Sequence, residues 1–328
     1  MRALITGGAG FAGSHLTDYL LALGHQATVL AAEQEELANL ETFRRAPRVE
    51  RVDLRDAAGL KKIVDEVRPE RIYHLAALAS PSDSLHDPVL TYDVNFGGTL
   101  HLLEACRELG GDCRFLFVSS SEVYGHVSEG ELPLREETPL RPANPYAGSK
   151  AAAEMLAYQF FRSYGLHAVR VRPFNHTGPR QSPAYVCSDF ARQVAEIGLG
   201  LRPPSMRVGN IKVSRDFCDV RDIVRGYYLL LEEGVPGEVY QLGSGRAVPV
   251  ERVLEILLGF CSQRIEVRTD PSRLRASDAP ALWGDMSKTE QAVGWKREYS
   301  LETTLRDLMD YWIQRLSSQA GAQRIDRP

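Results

Sequence analysis

The chain has 328 residues, a formal net charge of −4, 44% hydrophobic residues and 25% charged residues. That length accommodates one large α/β domain and a smaller one, and the slightly acidic balance argues against a nucleic-acid-binding surface. No apolar run reaches membrane length, the N-terminus lacks a signal pattern, and Cys106, Cys113, Cys187, Cys218 and Cys261 show no metal-ligand spacing, which together predict a cytoplasmic protein with reduced thiols and no metal.

The first apolar run, Ala3 to Ile5, predicts a strand. It leads into Gly7, Gly10 and Gly13, after which Leu16, Tyr19, Leu20 and Leu23 recur at helical spacing. A glycine turn between strand and helix is the setting of a dinucleotide site. The glycines permit a tight turn and close backbone approach, and the helix N-terminus offers N–H groups and a positive dipole end to a pyrophosphate. The alternative is a plain strand-to-helix turn. A second strand near Ala27 to Leu30 should end in an acid for NAD, or lie near an arginine for NADP. The residues there are Ala31, Ala32 and Glu33, so both coenzymes stay open. Glu33 either reaches the ribose or begins an exposed charged stretch. Asp53, after the apolar Val52, falls at the end of a third strand, where it contacts adenine or stands solvated in a loop.

Strands at 71–76, 114–119 and 168–172 alternate with helices at 57–67, 91–109 and 145–164. This predicts an α/β fold built on a Rossmann-like, doubly wound parallel sheet. Leu100, Leu102, Leu103, Met155, Leu156 and Phe160 give two helices broad apolar faces, suited to the sheet or to a second subunit. Asn144 and Pro145 read as an N-cap and a first-turn proline, so Tyr146 opens a helix and Lys150 falls one turn on along the same face. The ammonium there favours the tyrosine phenolate, a proton donor and acceptor usable near neutral pH. Tyr-x-x-x-Lys alone is a common accident of helices; the glycine turn upstream makes it a candidate acid–base pair. Beyond residue 173 the alternation lapses, with helical patterns returning at 188–199, 220–233, 249–261 and 300–316. The expected division is 1–172 for a dinucleotide domain carrying the catalytic residues, 173–317 for a smaller C-terminal α/β substrate domain with the chain crossing back to the sheet, and 318–328 for a polar tail.

The glycine turn, the run Val118-Ser119-Ser120-Ser121-Glu122-Val123-Tyr124-Gly125 and Tyr146-x-x-x-Lys150 follow in that order. On these motifs the chain resembles the extended short-chain dehydrogenase/reductases, to about residue 315. The segments Arg172-Pro-Phe-Asn-His-Thr-Gly-Pro179, Val208-Gly-Asn-Ile-Lys-Val-Ser-Arg215-Asp-Phe-Cys-Asp-Val and Leu242-Gly-Ser-Gly-Arg246-Ala-Val are similar to those of GDP-6-deoxy-D-mannose reductases. GDP-mannose 4,6-dehydratases are the near neighbours.

The resemblance implies an NADP- or NAD-dependent homodimer acting on a GDP-sugar, with a UDP-sugar as the alternative. It implies Ser120 as the catalytic hydroxyl, Tyr146 as the acid/base and Lys150 as its activator. In a reductase, hydride passes to the C4 carbonyl and Tyr146 supplies the proton. Coenzyme contacts implied by the resemblance come from Gly7, Gly10, Phe11, Ala12, Gly13, Asp53, Leu54, Leu75, Ala76 and Ala77, with Tyr146 and Lys150. Implied substrate contacts are Ser80, Ser120, Ser121, Glu122, Asn175, Arg180, Val208, Arg215 and Arg275, with Arg273 as an alternative to Arg275. A diphosphate calls for planar cationic donors. Arg215 is the first candidate, its alternative being a salt bridge to Asp216 or Asp219.

Glu122 keeps a dehydratase in view, because Ser120-Ser121-Glu122 resembles the Thr-Asp-Glu or Thr-Ser-Glu in which a glutamate takes the C5 proton. Two features favour a reductase. The stretch after the second strand lacks an arginine-rich NADP segment, and Gly178-Pro-Arg-Gln-Ser-Pro183 resembles the reductase continuation. Arg180 departs from the reductase glycine and is similar to the Gly-Pro-Arg of UDP-sugar decarboxylases and dehydratases.

Overall fold

The structure is a computed structural model that describes residues 1–41, 43, 45–273 and 281–325. Six strands, β1 (Arg2–Thr6), β2 (Gln26–Ala31), β3 (Arg48–Arg51), β4 (Arg71–His74), β5 (Arg114–Val118) and β6 (His167–Pro173), join a late strand, Val239–Leu242. All seven pair in parallel, in the order late strand, β6, β5, β4, β1, β2, β3. The order reverses between β1 and β4, the switch point at which ligands bind beyond the carboxyl ends of strands.

The connections are α1 (Phe11–Ala22), α2 (Ala57–Val67), α3 (Pro81–Ser84), α4 (Pro88–Tyr92), α5 (Gly98–Leu109) and α6 (Pro145–Tyr164). Helices α2 and α6 have the bounds the sequence predicts because their ends are chemically marked. Asp56 accepts the Gly59 N–H at 3.0 Å and Asn144 accepts the Ala147 N–H at 2.8 Å. Gly165 closes α6 in a left-handed conformation, φ 68°. The single helix expected over 91–109 is divided. It begins earlier, at an Asp87 cap and Pro88, and a π-helical turn at Asp93–Gly97 separates α4 from α5. At Gly98 the backbone meets the loop after β3 so closely that a Cβ would stand 2.6 Å from Leu54 Cβ.

Leu102, Leu103 and Phe160 are buried with Leu4, Ile72, Phe115 and Phe117 in the core beside the sheet. Met155 is 43% exposed and faces away from that core. Deeper in α6, Glu154 is fully buried. Its carboxylate accepts a bidentate pair from the Arg172 guanidinium at 2.6 to 3.1 Å, and Arg170 lies 3.6 Å away. Arg172 also donates to the Tyr124 hydroxyl and the Glu136 carbonyl, both at 2.9 Å.

The chain separates into two compact units. The first holds Met1–Phe174, Ile223–Leu242 and Asp285–Lys296; the second holds Asn175–Asp222, Gly243–Gly284 and the chain from Arg297. The remaining helices are α7 (Val186–Gly198), α8 (Val220–Glu233), α9 (Val250–Leu258), α10 (Ser287–Val293) and α11 (Leu301–Ile325). The second unit's core joins α7, α9 and α11 through Phe190, Val194, Val253, Leu257, Leu305 and Leu308. The Trp312 indole donates to Ser188 Oγ at 3.0 Å within it. The polar residues after Ser317, read from the sequence as a tail, continue α11 to Ile325. Gln319, Ala320, Ala322, Gln323 and Arg324 are good helix formers, but without large apolar residues the stretch carries no hydrophobic period to reveal that propensity.

Removing Glu154 strands two buried arginines. Glu154→Leu is expected to destabilise the protein by about 3–5 kcal/mol, read as a lower urea midpoint at unchanged slope.

Candidate active site

The glycine turn is built by contact distances that exclude side chains. Gly7 adopts φ 65°, and its N–H donates to the Leu30 carbonyl at 3.0 Å, anchoring the turn to β2. The Gly10 N–H donates back to the Gly7 carbonyl at 3.1 Å. A Cβ on Gly13 would stand 2.0 Å from the Gly7 oxygen, so only glycine lets α1 press against the turn. A Cβ on Gly7 would in turn meet the Ala76 backbone at 3.0 Å. Phe11, Ala12 and Gly13 form the first turn of α1, the end that presents amide donors and positive dipole. This bare cradle fits a dinucleotide pyrophosphate. Leu75, Ala76 and Ala77 follow β4 along its rim, and the Ala76 N–H donates to Thr6 Oγ1 at 3.1 Å.

Past β3, Asp53 is chelated by Arg55 at 2.6 to 3.1 Å, and those bonds hold its carboxyl down at about 2. Leu54 is buried and its carbonyl lies 3.1 Å from His101 Nδ1. Glu33 is exposed.

The catalytic candidates lie on the segment after β5 and on α6, which Lys150 ties to the end of that strand. Ser120 follows that strand, and its Oγ accepts the Glu122 N–H at 3.1 Å, capping the short helix Ser121–Tyr124. Lys150 is buried and donates to the Val118 carbonyl at 2.6 Å, two residues before Ser120. Its ammonium stands 5.0 Å from the centroid of the Phe117 ring. Burial brings the Lys150 pKa down to about 7, opposed by Glu154 one turn further along α6. Tyr146, also buried, precedes Lys150 by one turn on the same helix. Ser121 is buried and Glu122 half-buried.

Two supporting residues escape sequence reasoning. Asn95, in the π-helical turn, accepts the Leu78 N–H at 2.8 Å and donates to the Leu78 carbonyl at 3.2 Å and to Ser149 Oγ at 3.0 Å. Ser149 Oγ donates to the Tyr146 carbonyl at 2.8 Å, so Asn95 ties the loop after β4 to the turn of α6 that carries Tyr146 and Lys150. Its signal is a polar residue between Val94 and Phe96 inside an apolar pattern. His74 bridges Thr6 Oγ1 at 2.7 Å and Thr99 Oγ1 at 2.8 Å; burial, then Lys150, lowers its pKa to about 3. It is a neutral clasp beneath the switch point.

The substrate candidates divide between the units. In the first, Ser80 caps α3 by accepting the Asp83 N–H at 3.2 Å, with Ser82 Oγ 3.0 Å away. In the second, Asn175 is exposed on the strand Asn175–Thr177. Arg180 adopts φ 72°, a left-handed backbone that suits glycine better. Val208 is fully buried in the second unit's core, and its carbonyl accepts the Asp270 N–H at 2.9 Å. Arg215 lies on the strand Ser214–Arg215 and donates to the Ser214 carbonyl at 2.9 Å. Asp219 is engaged by Arg221 at 2.7 to 2.9 Å and by the Thr304 hydroxyl at 2.7 Å. Asp216 accepts the N–H groups of Ser244 and Gly245. Arg273 forms a 2.6 Å ion pair with Asp189. Arg275 lies outside the described residues.

A sequence profile described as GDP-mannose 4,6 dehydratase matches residues 4–308. The chain belongs to that family. It is 35% identical over 318 residues to the GDP-6-deoxy-D-mannose reductase of Pseudomonas aeruginosa, covering 97% of this chain and 99% of that protein. A solved structure of RMD from Pseudomonas aeruginosa complexed with NADPH superimposes with a TM-score of 0.85 at 34% identity, covering 96% of this chain and 99% of the other. A UDP-glucose 4-epimerase from Thermus thermophilus in complex with NAD gives 0.84 at 34% identity, covering 95% and 99%. The family shares the Rossmann-like, extended short-chain dehydrogenase/reductase fold that the motifs imply. Among the described residues, no helix is long and apolar enough to cross a membrane.

The Lys150 pKa carries a pH signature. Between about 7 in the fold and 10.5 in the free side chain, the unfolded state holds a proton that the folded state lacks, so stability rises with pH there. The stability of the native protein relative to Lys150→Met is expected to rise across that window and to stay level below it, as measured by urea denaturation at a series of pH values.

Proposed function

We propose that this protein reduces the C4 ketone of a GDP-4-keto-6-deoxyhexose with NADPH or NADH, forming a GDP-deoxyhexose such as GDP-D-rhamnose. The observation that carries this reading is the end-to-end similarity to a GDP-6-deoxy-D-mannose reductase, 97% of this chain against 99% of the other. The buried Lys150 at the end of β5, beside Ser120 and one turn from Tyr146, supports it.

Bound NAD(P)H supplies the hydride that the C4 carbon receives. Tyr146 gives its hydroxyl proton to the C4 oxygen as negative charge develops there, and Ser120 Oγ holds the same oxygen by a hydrogen bond. The Lys150 ammonium eases loss of the Tyr146 proton by stabilising the phenolate. Asn95 keeps the catalytic turn of α6 in place. In the second unit, the planar guanidinium of Arg215 suits the substrate diphosphate, with Arg180 as a further donor and Asn175 for sugar or phosphate oxygens. The protein works in the cytoplasm as a homodimer in this reading. Val89 and Tyr92 on α4 and Met155 and Tyr158 on α6 are exposed large apolar side chains that a second subunit can cover.

A second reading, GDP-mannose 4,6-dehydratase, is favoured by Glu122 and by the family profile. A dehydratase regenerates its coenzyme and needs a base for the C5 proton. Incubation with GDP-4-keto-6-deoxy-mannose and NADPH or NADH, and separately with GDP-mannose and NADP, separates the two. The reductase predicts stoichiometric loss of reduced coenzyme in the first and no product in the second; the reverse outcome assigns a dehydratase.

Tyr146→Phe is expected to lower kcat by about 10²–10⁴ while coenzyme binding, read by fluorescence titration, stays near that of the native protein. Wild-type turnover in that variant would refute the assigned acid. Glu122→Gln is expected to keep keto reduction within about tenfold of wild type, a barrier change of no more than about 1.4 kcal/mol. Loss of reduction in the folded variant would show that the carboxylate serves both chemistries.

A further inference from the structure

In a strand–glycine turn–helix unit, the adenosine ribose is read by a residue about 20 positions past the glycines, after the second strand. An acid there accepts the ribose hydroxyls and favours NAD, whereas an arginine receives the 2′-phosphate of NADP. Here β2 ends at Ala31 and is followed by Ala32, so neither side chain there can accept a bond.

The chain supplies a carboxylate from further on. Glu35 forms a closed turn with Ala32: the Glu35 N–H donates to the Ala32 carbonyl, and Glu35 Oε2 accepts the Ala32 N–H, both at 3.1 Å. This double link folds the carboxylate back over the end of β2. Its second oxygen points toward the glycine turn, since a Cβ built on Gly10 would lie 3.9 Å from Glu35 Oε1. Partial burial of Glu35 raises its carboxyl pKa, an effect opposed by the Ala32 N–H and by Arg51.

Arg51, at the end of β3, is a cation bonded to this turn. Its guanidinium donates to the carbonyls of Ala32 at 2.6 Å, Glu33 at 2.7 Å and Glu35 at 3.2 Å. Those donors clamp the turn that presents Glu35. The other acids are set differently, Glu33 being exposed and Asp53 chelated by Arg55.

We propose that Glu35 is the coenzyme-selecting residue of this chain: it accepts the ribose 2′-hydroxyl of NADH and repels the 2′-phosphate of NADPH. The inference rests on the coenzyme part of the proposed function and is independent of which sugar is reduced.

The test is equilibrium binding of NADH and NADPH to the purified full-length protein without substrate, read by fluorescence. The native protein is expected to bind NADH tighter than NADPH by about tenfold or more. Glu35→Gln keeps an acceptor for the Ala32 N–H, removes the charge and puts an N–H donor in place of the second carboxylate oxygen. It is expected to bring the ratio to within about threefold, by raising NADPH affinity and weakening NADH binding. Equal or tighter binding of NADPH by the native protein overturns the proposal, whether or not the variant folds, as does an unchanged ratio in a folded Glu35→Gln. Selective loss of NADPH in Arg51→Gln also overturns it, by assigning the 2′-phosphate to Arg51. Binding of neither coenzyme overturns both this inference and the oxidoreductase reading, whereas binding without preference overturns this inference alone.

Discussion

The hydrogen bond from the buried Lys150 ammonium to the Val118 carbonyl ties α6 to the end of β5, and the candidate chemistry depends on it. Burial disfavours the charged lysine, so the bond persists only because the surroundings compensate it. The Phe117 ring stands 5.0 Å away and Glu154 lies one turn along the helix. The result is a lysine poised near neutrality rather than locked in one protonation state. Such a group responds to its site: an anionic neighbour raises its proton affinity and further desolvation lowers it.

That linkage is braced from beneath. Glu154, four residues past Lys150, binds Arg172 of β6, and Arg172 reaches the Tyr124 hydroxyl in the segment that follows Ser120. One buried guanidinium therefore joins the helix bearing Tyr146 and Lys150 to the segment bearing Ser120 and Glu122. A buried ion pair of this kind is weak evidence for net stability, because desolvation offsets most of its attraction. Its directional bonds instead restrict how α6 and the Ser120 segment can shift, which is what positioned acid–base chemistry requires. Asn95 restrains the same helix from the loop after β4.

On the other side of the switch point the governing constraint is steric. The Gly13 Cα sits so close to the Gly7 carbonyl that any side chain would collide, and this closeness brings the amino end of α1 to the turn. Neutral His74, held by Thr6 and Thr99, joins the ends of β1 and β4 to α5 without a charge beneath a site meant for an anionic coenzyme. The reductase and dehydratase chemistries share all of this machinery. As proposed here, they differ in whether the Glu122 carboxylate would have to take a carbon-bound proton, a distinction of one group's role rather than of the scaffold.

Features that rest on local chemistry are readable from the chain alone. Helices α2 and α6 were legible to the residue because Asp56, Asn144 and Pro145 mark their starts by side-chain bonding and fixed φ. The glycine turn and the Tyr146–Lys150 pair were legible because both work through short, periodic spacings. Features that join chain segments distant in sequence emerge only on folding. The π-helical turn that breaks 91–109 accompanies Asn95 bonding to Leu78 and Gly98 packing on Leu54. Val208 is a core residue, and Arg273 pairs with Asp189, because the fold buries one and brings an acid to the other. The depressed pKa of Lys150 depends on desolvation by burial in the folded chain, which no i-to-i+4 spacing encodes. Glu35 reaches the glycine turn only because Arg51 from another strand clamps the turn that carries it. Spacing along one helix or turn is written in the chain, whereas burial and cross-strand partners exist only once the chain has folded.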